Sequence, residues 1–312
     1  MRVIFFGSPP TALPALESLL KSGHSIELVV TQPDRPSGRG KRLTPCAVKE
    51  FALERNIPFY QPEKIRLDAR APEKIGFFRP DISVVVAYGQ IIPLSLIDRP
   101  RYRSVNVHFS LLPKYRGASP VQWAILNGET TTGVTIFVLN EKMDEGDILT
   151  QEKVEIAPGE KARDLERRLA QTGAGLLVKT LQNFESLKPV PQDRSLATLA
   201  PKIRKEDGRI SWTKNAELID RQVRAFSGWP SAYTFIKEKR IIVAGGKPVA
   251  VGERPGGSKP GQVTSIRKEG IGVGCGGGSI FLIERLQPEG GKEMEAYAYS
   301  LGGEIKTGDF FR

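Results

Sequence analysis

The chain has 312 residues and a formal charge of +11, with 46 Lys and Arg against 35 Asp and Glu. Its 39% hydrophobic and 26% charged content is ordinary for a globular protein, and its length points to two domains rather than one. Two widely separated cysteines, Cys46 and Cys275, and two histidines, His24 and His108, exclude a disulfide framework, a Cys/His zinc site and most transition-metal sites.

Val3-Ile-Phe-Phe6 reads as a buried strand. Its four apolar residues are too few for a signal-peptide core or a membrane span, so a cytoplasmic protein without membrane attachment is expected. Ala12 to Ser22 has helical spacing at Leu13, Leu16, Leu19 and Leu20, and Ile26 to Thr31 is a second strand. This opening β-α-β unit predicts an α/β, doubly wound, mostly parallel sheet, Rossmann-like in outline. Gln32 to Thr44 is a Gly/Pro/basic loop, followed by a helix through Cys46 to Asn56. Ile82 to Ala87 and Val105 to His108 are further strands, and a helix runs from Pro120 to Asn127. Thr135 to Val138 and Lys153 to Ile156 are strands, and Ala162 to Leu187 is a long helix with an interruption expected at Gly173 and Gly175.

The composition divides the chain into an α/β domain over 1–188, a Pro-rich, charged linker over 189–207, and a β-rich domain over 208–312. In the last, a helix from Ala216 to Phe226 precedes short strands at Tyr233–Ile236, Ile241–Ala244, Val249–Val251, Gln262–Ile266, Gly270–Val273 and Ile280–Ile283. Short strands at this density predict a small OB-like β-barrel. The basic balance favours a polyanionic partner. Residues 1–205 hold 30 Lys and Arg against 22 Asp and Glu, so most of the excess lies on the α/β half.

Gly7-Ser-Pro-Pro-Thr11 stands where a dinucleotide fold puts its phosphate-binding glycines, but Pro9 and Pro10 remove backbone donors there. A nicotinamide enzyme and a P-loop ATPase are excluded on these grounds. Asn106 and His108 are two apart on a strand and so share a face, near its carboxyl end. An amide donor beside a titratable ring suits stabilisation of a developing oxyanion and proton transfer. A carboxylate would complete the set, and the Met143-Asp-Glu-Gly-Asp147 turn offers Asp144 and Asp147. Taken alone, a histidine after an apolar alternation is more often a core or capped residue. His24, in a helix-to-strand turn, reads as structural.

Asn106-Val-His108, Ser110-Leu-Leu-Pro113, Tyr115-Arg-Gly-Ala118 and Met143-Asp-Glu-Gly-Asp147 together resemble the signature of the folate-dependent formyltransferases. Thr31 to Lys41, Val85-Val-Ala-Tyr-Gly89, Pro120-Val-Gln122 and Phe226-Ser-Gly-Trp-Pro230 resemble the members of that family that act on aminoacylated tRNA. Phe109 departs from the family pattern, which usually has a small residue there.

The resemblance implies 10-formyltetrahydrofolate as donor and the α-amino group of methionine on initiator tRNA as acceptor, in translation initiation, with no metal and a monomeric protein. It implies catalysis by Asn106, His108 and Asp144. It also implies folate binding by Ser110, Leu111, Leu112 and Pro113 and by the backbone of Ala87, Tyr88 and Gly89. Arg35, Arg39, Lys41 and Arg42 would enter the tRNA acceptor arm, with the β-rich domain as a second tRNA contact. The competing expectations are a formyltransferase for a small amine (a sugar nucleotide or glycinamide ribonucleotide), a formyl-folate hydrolase, and a non-catalytic RNA-binding protein.

Overall fold

The computed structural model describes residues 1–37, 42–249 and 258–312; Arg39, Lys41, Ala250 and Val251 lie outside the described residues. The chain divides into two compact units, one of Met1–Pro120, Thr131–Ile156 and Leu165–Pro201, the other of Val121–Thr130, Ala157–Asp164 and Lys202–Arg312.

The N-terminal half runs through β1 (Arg2–Gly7), α1 (Leu13–Lys21), β2 (Ser25–Val30), β3 (Arg35–Ser37), β4 (Arg42–Thr44), α2 (Ala47–Glu54), β5 (Phe59–Tyr60) and α3 (Ala71–Phe77). It continues through β6 (Ile82–Val86), α4 (Leu94–Ile97), β7 (Ser104–His108), α5 (Pro120–Leu126), β8 (Thr131–Val138), β9 (Ile148–Glu155) and α6 (Ala162–Gln182). One seven-stranded sheet has the order β5-β2-β1-β6-β7-β8-β9. It is parallel from β5 through β7, and antiparallel where β8 joins β7 and β9 joins β8. Succession reverses between β1 and β6, the switch point beside which doubly wound sheets leave a crevice at their carboxyl ends. β1 and β6 are apolar runs with almost every residue buried, as strands covered on both faces must be.

α6 runs without a break from Ala162 to Gln182, where an interruption at Gly173 and Gly175 and an end at Leu187 were expected. The glycine at 173 serves packing. A Cβ there would stand 2.9 Å from Val107 Cγ1 and 3.2 Å from Val134 Cγ1, closer than side chains pack. Phe109 lies on that same side of the sheet, its ring 3.7 Å from that Cβ position. Strand alternation therefore turns Phe109 away from the face of Asn106 and His108.

The segment expected as a linker is hydrogen-bonded into the first unit as far as Ala200. Val190 and Ile148 exchange two main-chain bonds of 2.8 Å, and Ala200 N donates to Arg116 O at 2.7 Å.

In the second unit α7 (Ala216–Ala225) is capped by Asn215, whose Oδ1 accepts from Leu218 N at 2.9 Å. The strands are β10 (Tyr233–Ile236), β11 (Lys239–Pro248), β12 (Val263–Arg267), β13 (Gly270–Gly274), β14 (Ile280–Pro288) and β15 (Met294–Glu295), followed by α8 (Ala296–Ser300). The antiparallel order is β10-β11-β14-β13-β12, with β15 on β14. The C-terminal residues bond both edges of this sheet. Val263 N donates to Asp309 O and Phe311 N to Gly261 O, while Phe235 and Arg312 exchange two bonds of 2.9 Å. The unit is an antiparallel β domain in which β10 and β12 do not pair with each other, and neither edge is left open at those positions. Ile219 and Val223 of α7 sit in its core with Trp212, Val243, Phe281 and Ile283. No helix among the described residues is long and apolar enough to cross a membrane.

Candidate active site

β7 presents Asn106 and His108 on one face, in register with Phe137 and Thr135 of β8. His108 is 6% exposed, and its ring meets Phe137 edge-on at 6.4 Å. Its Nε2 lies 2.9 Å from Tyr115 O, and since a carbonyl only accepts, Nε2 carries the proton in that bond. The other nitrogen, Nδ1, faces Asp144 Oδ2 at 3.8 Å, an ion-pair distance beyond hydrogen-bond length. Asp144 is mostly buried and takes a left-handed φ of 54°, a conformation that Asp tolerates better than most residues. Its Oδ2 accepts from Gly117 N at 2.8 Å. The turn holding it follows the end of β8 and closes where Val138 N donates to Asp147 O at 2.9 Å. Of the two carboxylates offered by that turn, Asp144 is the one beside His108. Asn106 is partly buried. Its carboxamide shares the face of the ring two residues on.

Ser110 to Pro113 is held by Thr135. The Thr135 hydroxyl donates to Ser110 O at 2.6 Å and accepts from Leu112 N at 3.0 Å and Gln151 Nε2 at 2.9 Å. Gln151 also donates to Leu112 O at 2.8 Å. Ser110 and Leu112 are buried, and the Ser110 hydroxyl donates to Lys114 O at 2.6 Å. Leu111 packs over Gly133 of β8. Thr135→Val keeps the shape and strands the Leu112 N–H and the Ser110 carbonyl. It is expected to cost about 1–3 kcal/mol, read from the urea unfolding midpoint.

At the end of β6, Ala87 and Gly89 are exposed and both take positive φ, 48° and 77°. They present main-chain groups at the carboxyl edge. Tyr88 differs: its ring is 1% exposed, edge-on to Phe6 in the core, and its buried hydroxyl finds no hydrogen-bond partner among the described residues. Burial pushes that phenol well above its ordinary pKa. What Tyr88 offers outward is backbone, and its carbonyl already accepts from Gln32 Nε2 at 2.8 Å.

Among the basic residues singled out, Arg35 opens β3 opposite Thr44, and Arg42 opens β4 opposite Ser37, so the two stand at opposite ends of the hairpin. Both are exposed, and Arg35 Nη2 pairs with Glu63 Oε2 at 3.2 Å. At the hairpin's root Asp34 accepts from Lys49 Nζ at 2.6 Å and Gln61 Nε2 at 2.9 Å, bonds that hold its carboxyl below the usual range. His24 lies 3.4 Å from the terminal amine, and burial, helped by that charge, lowers its pKa, as a structural residue permits.

In the second unit Trp212 is core, donating to Thr234 Oγ1 at 3.0 Å, whereas Trp229 is 60% exposed. Tyr233 and Phe235 alternate outward on β10. Arg240 lies 4.1 Å above the first ring and Arg209 5.6 Å from the second. Two side chains that the sequence did not single out, Thr135 and Gln192, brace the loops around His108. Neither carries a local signal, because each acts on segments remote in the chain.

The family model described as "Formyl transferase" matches residues 1–181, and "Formyl transferase, C-terminal domain" matches 202–302. The methionyl-tRNA formyltransferase of Geobacter sulfurreducens (strain ATCC 51573 / DSM 12127 / PCA) is 43% identical over 313 residues, covering 99% of this chain and 96% of its own. That of Synechococcus sp. (strain JA-2-3B'a(2-13)) is 46% identical, covering 99% and 97%. Among solved structures, HypX from Aquifex aeolicus in complex with tetrahydrofolic acid is similar in fold, with a TM-score of 0.64 and 20% identity. The alignment covers 98% of this chain and 48% of that one.

Proposed function

Since the chain belongs to the formyl transferase family over both of its units, we propose that it moves a formyl group from 10-formyltetrahydrofolate to the α-amino group of methionyl initiator tRNA. The amine nitrogen attacks the formyl carbon, the C–N10 bond of the folate breaks, and the proton lost by the amine is returned to N10. Between these steps stands a tetrahedral carbon bearing a negative oxygen. The Asn106 carboxamide donates to that oxygen. With Nε2 committed to the Tyr115 carbonyl, Nδ1 is the His108 nitrogen left for the reaction. Its N–H is the second donor when the ring is protonated. Asp144 stabilises the charged ring and takes up the proton of the incoming ammonium.

Asn106 and His108 on one sheet face, with Asp144 beside the ring from the turn after β8, in a chain matched over both units, carry the reading. The exposed backbone of Ala87 and Gly89 suits the polar edge of a flat bicyclic ring. The braced Ser110–Pro113 segment offers a preformed wall. A small-amine transferase would leave the basic hairpin and the outward Tyr233–Phe235 ladder without work. Stacking aromatics among arginines are how such β domains take up nucleic acid.

The deciding assay incubates the protein with the formyl donor and either methionyl-tRNA or free methionine. Formylated product from the tRNA alone is expected. Equal efficiency with free methionine would remove the tRNA assignment and keep the transferase, and tRNA binding without product would leave a silent RNA-binding protein. Arg42, with Arg35, Arg39 and Lys41, is assigned to the acceptor arm. Arg42→Ala should weaken tRNA binding and lower the magnitude of its log–log salt slope by roughly 0.7–0.9, measured by filter binding across a salt series. An unchanged slope and affinity would remove Arg42 from the contact.

A further inference from the structure

Between the two stretches that the family models match lies Gln192, and its side chain touches both loops around His108. Its Nε2 donates to the main-chain oxygens of Asp144 at 2.9 Å and Gly146 at 2.7 Å. Its Oε1 accepts from Arg116 Nε at 3.1 Å and Nη2 at 2.8 Å. Arg116 is 6% exposed and is itself held, with Nη1 at 3.4 Å from Glu145 Oε1 and its main chain bonded to Thr198 and Ala200. The next residue, Gly117, donates to Asp144 Oδ2. Four bonds at one amide, two donated and two accepted, added to that one, fix the 115–117 loop and the 144–146 turn at a set separation. Only a carboxamide can do this here, because the contact needs two donors on one side and an acceptor for a guanidinium on the other.

We propose that Gln192 is a positioning residue for formyl transfer, clamping the Asp144 turn to Arg116 so that the carboxylate is held against His108. The proposal rests on the role given to Asp144 above. Without the amide, the left-handed Asp144 loses the restraint on its carbonyl, and the carboxylate drifts from the ring. Misplacement of that kind is felt in turnover rather than in substrate affinity.

The test is a double-mutant cycle with an independent spectroscopic arm. Gln192→Ala should lower kcat about tenfold to a hundredfold while KM for the formyl donor and for the tRNA stays within about twofold. In an Asp144→Asn background the same change should cost less than about threefold, because the group it positions is already gone. Equal losses in both backgrounds would overturn the proposal. With only two histidines in the chain, the His108 ring signals are directly assignable by NMR. They should move in Gln192→Ala while those of His24 stay, and unmoved His108 signals would also overturn it. If Gln192→Ala does not fold, Gln192→Glu keeps the shape and the acceptor for Arg116, deletes both donors, and carries the same comparison. If the wild-type protein formylates nothing, the functional reading fails, and the NMR arm still decides whether Gln192 holds Asp144 against His108.

Discussion

Exchanging His108 for alanine is expected to lower single-turnover formyl transfer about 10²–10³-fold, and Asn106→Ala to do so by a similar factor. On the proposed mechanism each change removes one preorganised donor from the oxygen that becomes negative, and water does not replace such a donor at equal strength. His108 is buried and anchored by one nitrogen to the Tyr115 carbonyl, so it needs no reorganisation at the moment of reaction. Formyl-folate affinity, followed by calorimetry, should survive both changes, because neither side chain is assigned to ring binding. The double variant should lose less than the product of the single losses, since the two donors serve one oxygen. A His108→Ala enzyme with near wild-type turnover would show that the ring is structural after all.

Gly146→Ala should be the most damaging change of a single methyl group. A Cβ at that position runs into the Val138 carbonyl oxygen and stands 3.2 Å from Phe137 Cδ2, and the obstacle is backbone that cannot step aside. The turn between β8 and β9 must then open, and with it the bond from Val138 N to Asp147 O. Overpacking of this kind costs about 1–3 kcal/mol or more. Because the same turn carries Asp144, turnover should fall about 10²-fold as well. Chemical denaturation and kcat measured on one preparation check both halves. A Gly146→Ala protein with wild-type stability and rate would mean that the turn has slack that its geometry does not suggest.

Much of this arrangement is legible from residues alone. The apolar runs of β1 and β6 announce a parallel core, and the two-residue spacing of Asn106 and His108 puts both on one face whatever the fold around them. The elements that escaped notice are those with little periodicity to offer. β5 is two residues long, α4 is four, and α3 opens with Pro72 in its first turn. Gly173 and Gly175 look like a break because glycine lowers helix propensity, yet packing against Val107 outweighs that term. The stretch around Gln192 reads as a surface connector because its prolines and charges show no period. Its bonds to Ile148, Arg116 and the Asp144 turn depend on which segments the sheet brings together, and composition is blind to that.

The alternation along β7 makes this one strand a boundary between two kinds of consequence. Val107 and Phe109 look toward a helix, while Asn106 and His108 look the other way, toward the proposed reaction centre. A residue-by-residue scan from 106 to 109 should therefore answer in turn to different instruments, the fluorimeter hearing what the kinetic assay does not. The bulky ring at 109, so conspicuous in the linear text, belongs to the quiet side.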